Sequence, residues 1–248
     1  MKHHRRSIRI SLVAILLAMP GAALAEAPYV TDSAEPTDYH QLEINAFSEG
    51  VSGSGSGSNS TVGMELNYGL LPNLEFSTAL PVGFSAPSRA NIQFELTKME
   101  VGVKYRFLEE DDKGWAPQIS LYPSVEFTVG GPSSQETLIR EFFPLWAQKS
   151  FGGWTVFGGG GLVLNPGPEG RDSWLTSIAL TRAIFSGLEI GVEVVHETPE
   201  ARDEVATTMI NFGATWTLSK SLRLMGSAGP VVSANNTFSY YVGVGWAM

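Results

Sequence analysis

Cysteine is absent from the 248 residues, which excludes a disulfide framework and a lipid-anchored N-terminal cysteine. Histidine is nearly as scarce. Of four in the chain only His40 and His196 follow residue 25, and each stands alone, short of the converging ligands a zinc site takes. Charged residues are few, at 17%, and long apolar runs are missing after the first 25 residues. Each one is soon broken by Gly, Glu or Asn, so none reaches the roughly 20 apolar residues of a membrane-spanning helix.

The first 25 residues are a different matter. Lys2, Arg5, Arg6 and Arg9 form a basic head, residues 8–19 are mostly apolar, and Ala23-Leu24-Ala25 offers the small residues a signal peptidase reads. The expectation is a cleaved export signal over 1–25, a mature chain from Glu26 and a Pro-containing tail over 26–37, lying in or below the mouth of a barrel over 38–248. The mature chain keeps twelve Lys and Arg against 25 Asp and Glu, a net charge of −13. That surface excludes a nucleic-acid partner, whose phosphates require basic side chains.

What is abundant is glycine, 27 residues, and apolar–polar alternation with period two, which sorts a strand's side chains onto two faces. At the C-terminal end, Phe238, Tyr240, Val242, Val244 and Trp246 share one face and Ser239, Gly243 and Gly245 the other. Residues 188–196, 210–218, 62–68, 99–107 and 118–129 repeat the pattern, with Ile92, Phe94 and Leu96 out of phase with Met99, which predicts a bulge near Thr97. Twelve strands are predicted, near 38–48, 60–70, 74–82, 91–107, 117–129, 138–149, 154–164, 173–184, 188–197, 206–218, 222–230 and 237–247. Each has about the length a tilted strand needs to cross a bilayer.

The links alternate between tight ones (71–73, 185–187, 219–221) and longer polar or Gly/Pro-rich ones (51–59, 83–90, 165–172, 199–205). Short periplasmic turns and long external loops are the asymmetry of a transmembrane barrel; the turn over 109–115 is a longer periplasmic exception. Leu70 with Leu74, Ile184 with Leu188, and Leu218 with Leu222 flank three-residue loops with their apolar faces matched, as directly opposed residues must be. Tyr68, Tyr105, Phe107, Trp154, Trp174, Trp216 and Trp246 sit at strand ends on the apolar face, a membrane girdle that a soluble β-sandwich does not need. The predicted fold is an all-β, up-and-down antiparallel barrel in the outer membrane of a Gram-negative bacterium, with outer-membrane lipid around it.

Several stretches resemble one known family. Met64 through Leu74 (MELNYGLLPNL) resembles its second hairpin, and Gly102-Val103-Lys104-Tyr105-Arg106-Phe107 its "G-x-K-Y-R-F" strand. Residues 143–152, Trp154-Thr155 and the glycines 158–161 resemble its central hairpin, and Asn165-Pro166-Gly167-Pro168 and Phe238-Ser239-Tyr240-Tyr241 complete the match. The family is the outer-membrane proteins labelled "MetA-pathway of phenol degradation", described as transporters. The resemblance implies a barrel that passes aromatic or other hydrophobic small molecules, with no catalytic residues to carry over. Such barrels commonly end on an aromatic residue that helps the barrel-assembly machinery; here Met248 is last and Trp246 stands two before it.

The polar face predicts the lumen. Glu65, Glu75, Glu100, Lys104, Arg106, Glu189 and Arg223 fall within several residues of periplasmic turns, where opposite charges would form a ladder across the lower barrel. Glu126 and Glu193 sit higher and are the better candidates for touching a solute. No cofactor is expected, because Gly158–Gly161 lacks the Lys and helix that follow a phosphate loop; close packing or a flattened wall suits it better. The Gly/Ser stretch 52–58 reads as low-complexity loop. Serine is plentiful but none is marked as a nucleophile beside a histidine, so an enzyme is not expected. Two functions stay open: a passive, porin-like channel for small solutes, and a non-transporting structural or surface-interaction barrel.

Overall fold

The computed structural model describes residues 28–53, 57–86, 93–96, 98–111, 113–128, 139–166, 170–201 and 204–248. The proposed export signal, Thr97 and the middle of the Gly/Ser stretch lie outside the described residues. The elements are β1 (Leu42–Gly53), β2 (Gly57–Leu71), β3 (Leu74–Ala86), β4 (Gln93–Leu96), β5 (Lys98–Leu108), β6 (Gln118–Leu121), β7 (Ser124–Thr128), β8 (Ile139–Phe151), β9 (Trp154–Leu164), β10 (Ser173–Phe185), β11 (Leu188–Glu197), β12 (Thr207–Thr217), β13 (Leu222–Pro230) and β14 (Thr237–Ala247). β4 with β5, and β6 with β7, each make one stave, so the sheet has twelve staves. All neighbouring pairs are antiparallel, and β1 closes the barrel by pairing with β14 from Glu43↔Ala247 to Gly53↔Thr237. Among the described residues no helix is long and apolar enough to cross a membrane; this fold crosses with strands.

The two broken staves have separate causes. Between Ala79↔Glu100 and Val82↔Leu96 the partner strand advances four residues while β3 advances three, the extra residue of the bulge that the phase slip before Met99 predicts. Between β6 and β7 the register is unbroken, but Pro123 has no N–H to give the ladder.

The tight turns follow from residues that tolerate positive φ. Asn73 (φ 66°) and Gly187 (φ 92°) occupy the left-handed position of three-residue hairpins, with a one-residue register shift beside each. Gly152 (φ 57°) and Gly153 (φ 80°) form the two-residue link between Phe151 and Trp154. Several expected boundaries move. β1 starts at Leu42 rather than residue 38, because Asp38 and His40 make an elbow in which the His40 N–H donates to the Gly69 carbonyl. β1, β2 and β3 also run further outward than the alternation indicated, shortening the links after them.

The two faces sort as the alternation requires. Met64, Leu80, Ile178, Val194, Phe212, Val242 and Val244 point outward and exposed, whereas Asn45, Asn67, Ser77, Ser120, Thr181, Glu193 and Asn211 are buried within. An apolar belt of that extent on a closed barrel is stable only against lipid. Val192→Arg on β11 puts a charge into the belt at mid-depth and is expected to cost about 2–4 kcal/mol, read as a lowered urea midpoint for the folded barrel in lipid vesicles. A stability equal to the parent's would place Val192 on the wrong face.

Candidate functional site: the lumen and its N-terminal segment

Residues 28–37 cross the lumen from about mid-height on β11 to the periplasmic end of β3 and so touch opposite walls. At one end Glu193 of β11, 1% exposed, gathers four donors: the Val30 N–H (3.1 Å), the Thr31 N–H (2.9 Å), the Thr31 hydroxyl (2.8 Å) and the Asn211 side-chain amide (2.8 Å). At the other end the Thr37 N–H donates to Glu75 of β3 at 2.6 Å. Ahead of Val30 the Ser227 hydroxyl donates to the Pro28 carbonyl, and between the two ends the Ser120 hydroxyl donates to the Ala34 carbonyl. A strand-free stretch inside a barrel must find partners for its peptide groups, and these wall side chains supply several of them.

The wall is also shaped for the segment. Gly191 and Gly213 are paired across β11 and β12, and a Cβ on either would meet the Tyr29 ring or hydroxyl at 2.7 Å. The two glycines therefore seat Tyr29, whose ring packs edge-on against Phe157 at 6.1 Å.

The charged residues fall into three groups rather than one ladder. In the first, Lys104 bonds Asp32 of the segment at 3.0 Å, lies 4.0 Å from Glu75 and sits 5.1 Å above the Tyr122 ring. The Lys104 and Glu75 side chains are wholly buried. In the second, Arg223 bonds Glu43 (2.7 Å) and Asn45 (3.0 Å), and Asn45 passes a bond on to Glu65 at 3.2 Å. In the third, near the external end, Arg140 joins Glu126 (2.5 Å) to Glu200 of the β11–β12 link.

The expected residues are thus divided. Arg106 meets no acid of the first group and instead donates to the side-chain carbonyls of Asn73 and Gln118 (3.0 Å). Glu100 is not at the periplasmic end either, since it lies opposite Glu126 in the β5–β7 register. Glu193 touches the chain's own segment, where the sequence pointed to a solute. Glu189 lines a cavity of about 640 Å³ with Glu35, Arg106, Gln118 and Gln148, beside the 152–153 turn at the periplasmic end. The longer periplasmic turn is tied down there by Lys149, which bonds Glu110 at 2.9 Å and the Asp111 carbonyl at 2.7 Å.

Sequence reasoning missed Tyr29, Thr31, Asp32, Thr37, Arg140 and Trp146. Arg140 and Trp146 share the inward phase of β8 with Gln148 and were within reach of the alternation. The segment residues were not, because a non-repeating stretch has no phase to read.

Burial shifts two groups of the segment, and it raises the Tyr29 hydroxyl above the ordinary tyrosine range. Loss of water raises the Glu35 carboxyl to about 7, opposed by the nearby Arg106 guanidinium and reinforced by Asp38. Higher in the lumen, Trp146 is 2% exposed and lies across Gly159, with Phe142 edge-on at 6.5 Å. The glycine run 158–161 packs closely, since a Cβ at Gly159 or Gly161 would meet a β8 carbonyl oxygen at 2.0–2.1 Å. His40 pairs with Tyr68 and His196 with Thr208. Among the described residues no group of three or more His, Asp or Glu is placed to hold a metal ion.

No protein-family model matches the chain, and no curated protein matches it. Solved structures do. The COG4313 outer membrane channel from Pseudomonas putida F1 superposes with a TM-score of 0.65 at 12% identity, over 86% of this chain and 99% of that one. The KdgM porin, solved in complex with disordered oligogalacturonate, gives 0.57 at 13% identity over 82% and 98%. The translocator domain of the autotransporter NalP from Neisseria meningitidis gives 0.50 at 14% over 85% and 89%. At such identities the likeness is one of fold, and the fold is that of outer-membrane β-barrels.

Proposed function

We propose that this protein is a passive outer-membrane channel for small solutes, closed at rest by its own N-terminal segment. The observation that carries the reading is residues 28–37 hydrogen-bonded between Glu193 and Glu75 across the lumen. A segment held by a handful of polar contacts, each worth about 1 kcal/mol net, is removable in a way that a strand is not. Two of the solved barrels it resembles are named as a porin and a channel, which agrees with this reading.

The lumen suggests the solute. Among side chains described, the inward phase of the strands carries Glu43, Glu49, Glu65, Glu75, Glu100, Glu126, Glu189, Glu193 and Glu197 against Lys104, Arg106, Arg140 and Arg223. That excess of acid disfavours anions. Trp146, Phe142, Phe157 and Tyr29 give the path aromatic surfaces, which suits the aromatic or hydrophobic solutes implied by the resemblance to the "MetA-pathway of phenol degradation" barrels. Neutral or cationic small aromatic compounds are the proposed cargo.

Planar-bilayer recording tests this. Glu35 binds its proton more tightly when the segment is docked, so docking is fully supported below the ordinary carboxylate range near 4.5 and loses that support as pH rises through about 7. Cation-selective current should therefore grow between pH 6 and pH 8, and Glu35→Gln should flatten the dependence. The segment-filled lumen is also the observation behind a second reading, a non-transporting barrel whose external loops act at the surface. Silence at every pH, with or without the segment, decides for that alternative.

A further inference from the structure

The outward faces of the described strands are nearly free of charge. On them the cations are Lys149 of β8 and Arg182 of β10, and both lie toward the periplasmic end. They flank the same strand, β9, whose outward face carries Gly158 and Gly160. Two cations beside one glycine-bearing strand stand out on these faces, whose other charge, Glu141 of β8, lies toward the external end.

The glycines leave a groove in the lipid-facing wall. Ala147, Gly158 and Ile178 are in register across β8, β9 and β10, and with Pro117, Lys149 and Val156 they border a depression of about 260 Å³ that is almost wholly apolar. Arg182 stands four residues nearer the periplasmic end than Ile178, about 13 Å along the strand at the usual rise. Its guanidinium is held 4.8 Å above the Trp154 ring, a contact that orients the cation without neutralising it. Lys149 reaches down to Glu110 instead, so the cation facing the bilayer surface at this point is Arg182.

From this arrangement we infer a binding site for one glycerophospholipid of the periplasmic leaflet, with an acyl chain in the Ala147–Gly158–Ile178 groove and its phosphate on Arg182. The spacing suits that molecule, since an acyl chain runs inward from a headgroup at the interface. The charge suits it as well, since a chain with so large an acid excess places an unneutralised arginine where lipid phosphates lie. The site is independent of the channel reading, because it lies on the opposite side of the wall from the lumen.

Native mass spectrometry of the full mature protein, purified from membranes in mild non-ionic detergent, tests it. One phospholipid should remain bound. Arg182→Gln should lower the retained fraction about fivefold, the worth of one basic side chain at a lipid phosphate surface. Ala147→Leu, which fills the groove, should lower it with the phosphate contact intact. Lys220→Gln, a cation of the tight periplasmic turn between β12 and β13, away from β8–β10, should leave it unchanged. Heat-modifiable gel mobility of each variant confirms a closed barrel, and inorganic phosphate should not displace the lipid. No retained phospholipid on the parent, equal retention in all variants, or displacement by phosphate alone would each overturn the assignment.

Discussion

Deleting residues 28–37 should convert a barrel of low conductance into one with a continuously open, cation-preferring current. The segment occupies the lumen through contacts to Glu193, Glu75, Lys104, Ser120 and Ser227, whereas closure of the wall depends on backbone ladders that include β1 with β14 and β3 with β5. Removing the segment therefore empties the path without removing a stave. The side chains it leaves behind are polar and become hydrated, so the barrel pays little for their exposure. A synthetic peptide spanning residues 26–38, added on the periplasmic side, should restore the block. Unchanged current after deletion would mean that the lumen is shut elsewhere and would remove the segment's gating role.

The barrel itself was legible because its physics is periodic. A strand between lipid and lumen must alternate, so residues 188–196 and 237–247 announce both their conformation and their facing, and the matched flanks of Leu218 and Leu222 fix a hairpin register. The slip between Leu96 and Met99 was readable for the same reason. The site was less legible, because which charges meet depends on stagger between strands. Lys104 and Arg106 share a strand and a face, yet one is sealed between Asp32 and Glu75 and the other is bonded to two amides. Glu193 carried a correct facing, but the segment that it holds here was not legible, since that stretch has no period. Substituting Arg there would expel Val30 and Thr31 rather than meet a solute.

That difference between the two cations sets the second large effect. Lys104→Met should release the segment, while Arg106→Gln should leave it docked. Lys104 is wholly buried, 3.0 Å from Asp32 and 4.0 Å from Glu75; with the lysine gone, two carboxylates face each other out of water. Removing one partner of a buried pair costs about 3–5 kcal/mol. The backbone pairing Glu75↔Lys104 does not depend on the side chain, so the system relieves the penalty by letting Asp32 leave with its segment. A penalty of even about 3 kcal/mol shifts the docked-to-free ratio by roughly a hundredfold at about 1.4 kcal/mol per decade. Arg106 opposes ionisation of Glu35 being suppressed, so losing it keeps that carboxyl protonated and the segment in place. Asp32→Asn combined with Lys104→Met removes the clash of like charges and should return the current toward the parent level. The readings are single-channel current and protease cleavage of the segment in folded protein. A Lys104→Met barrel that stays silent, with residues 28–37 protected, would show that the buried lysine serves the wall and not the gate.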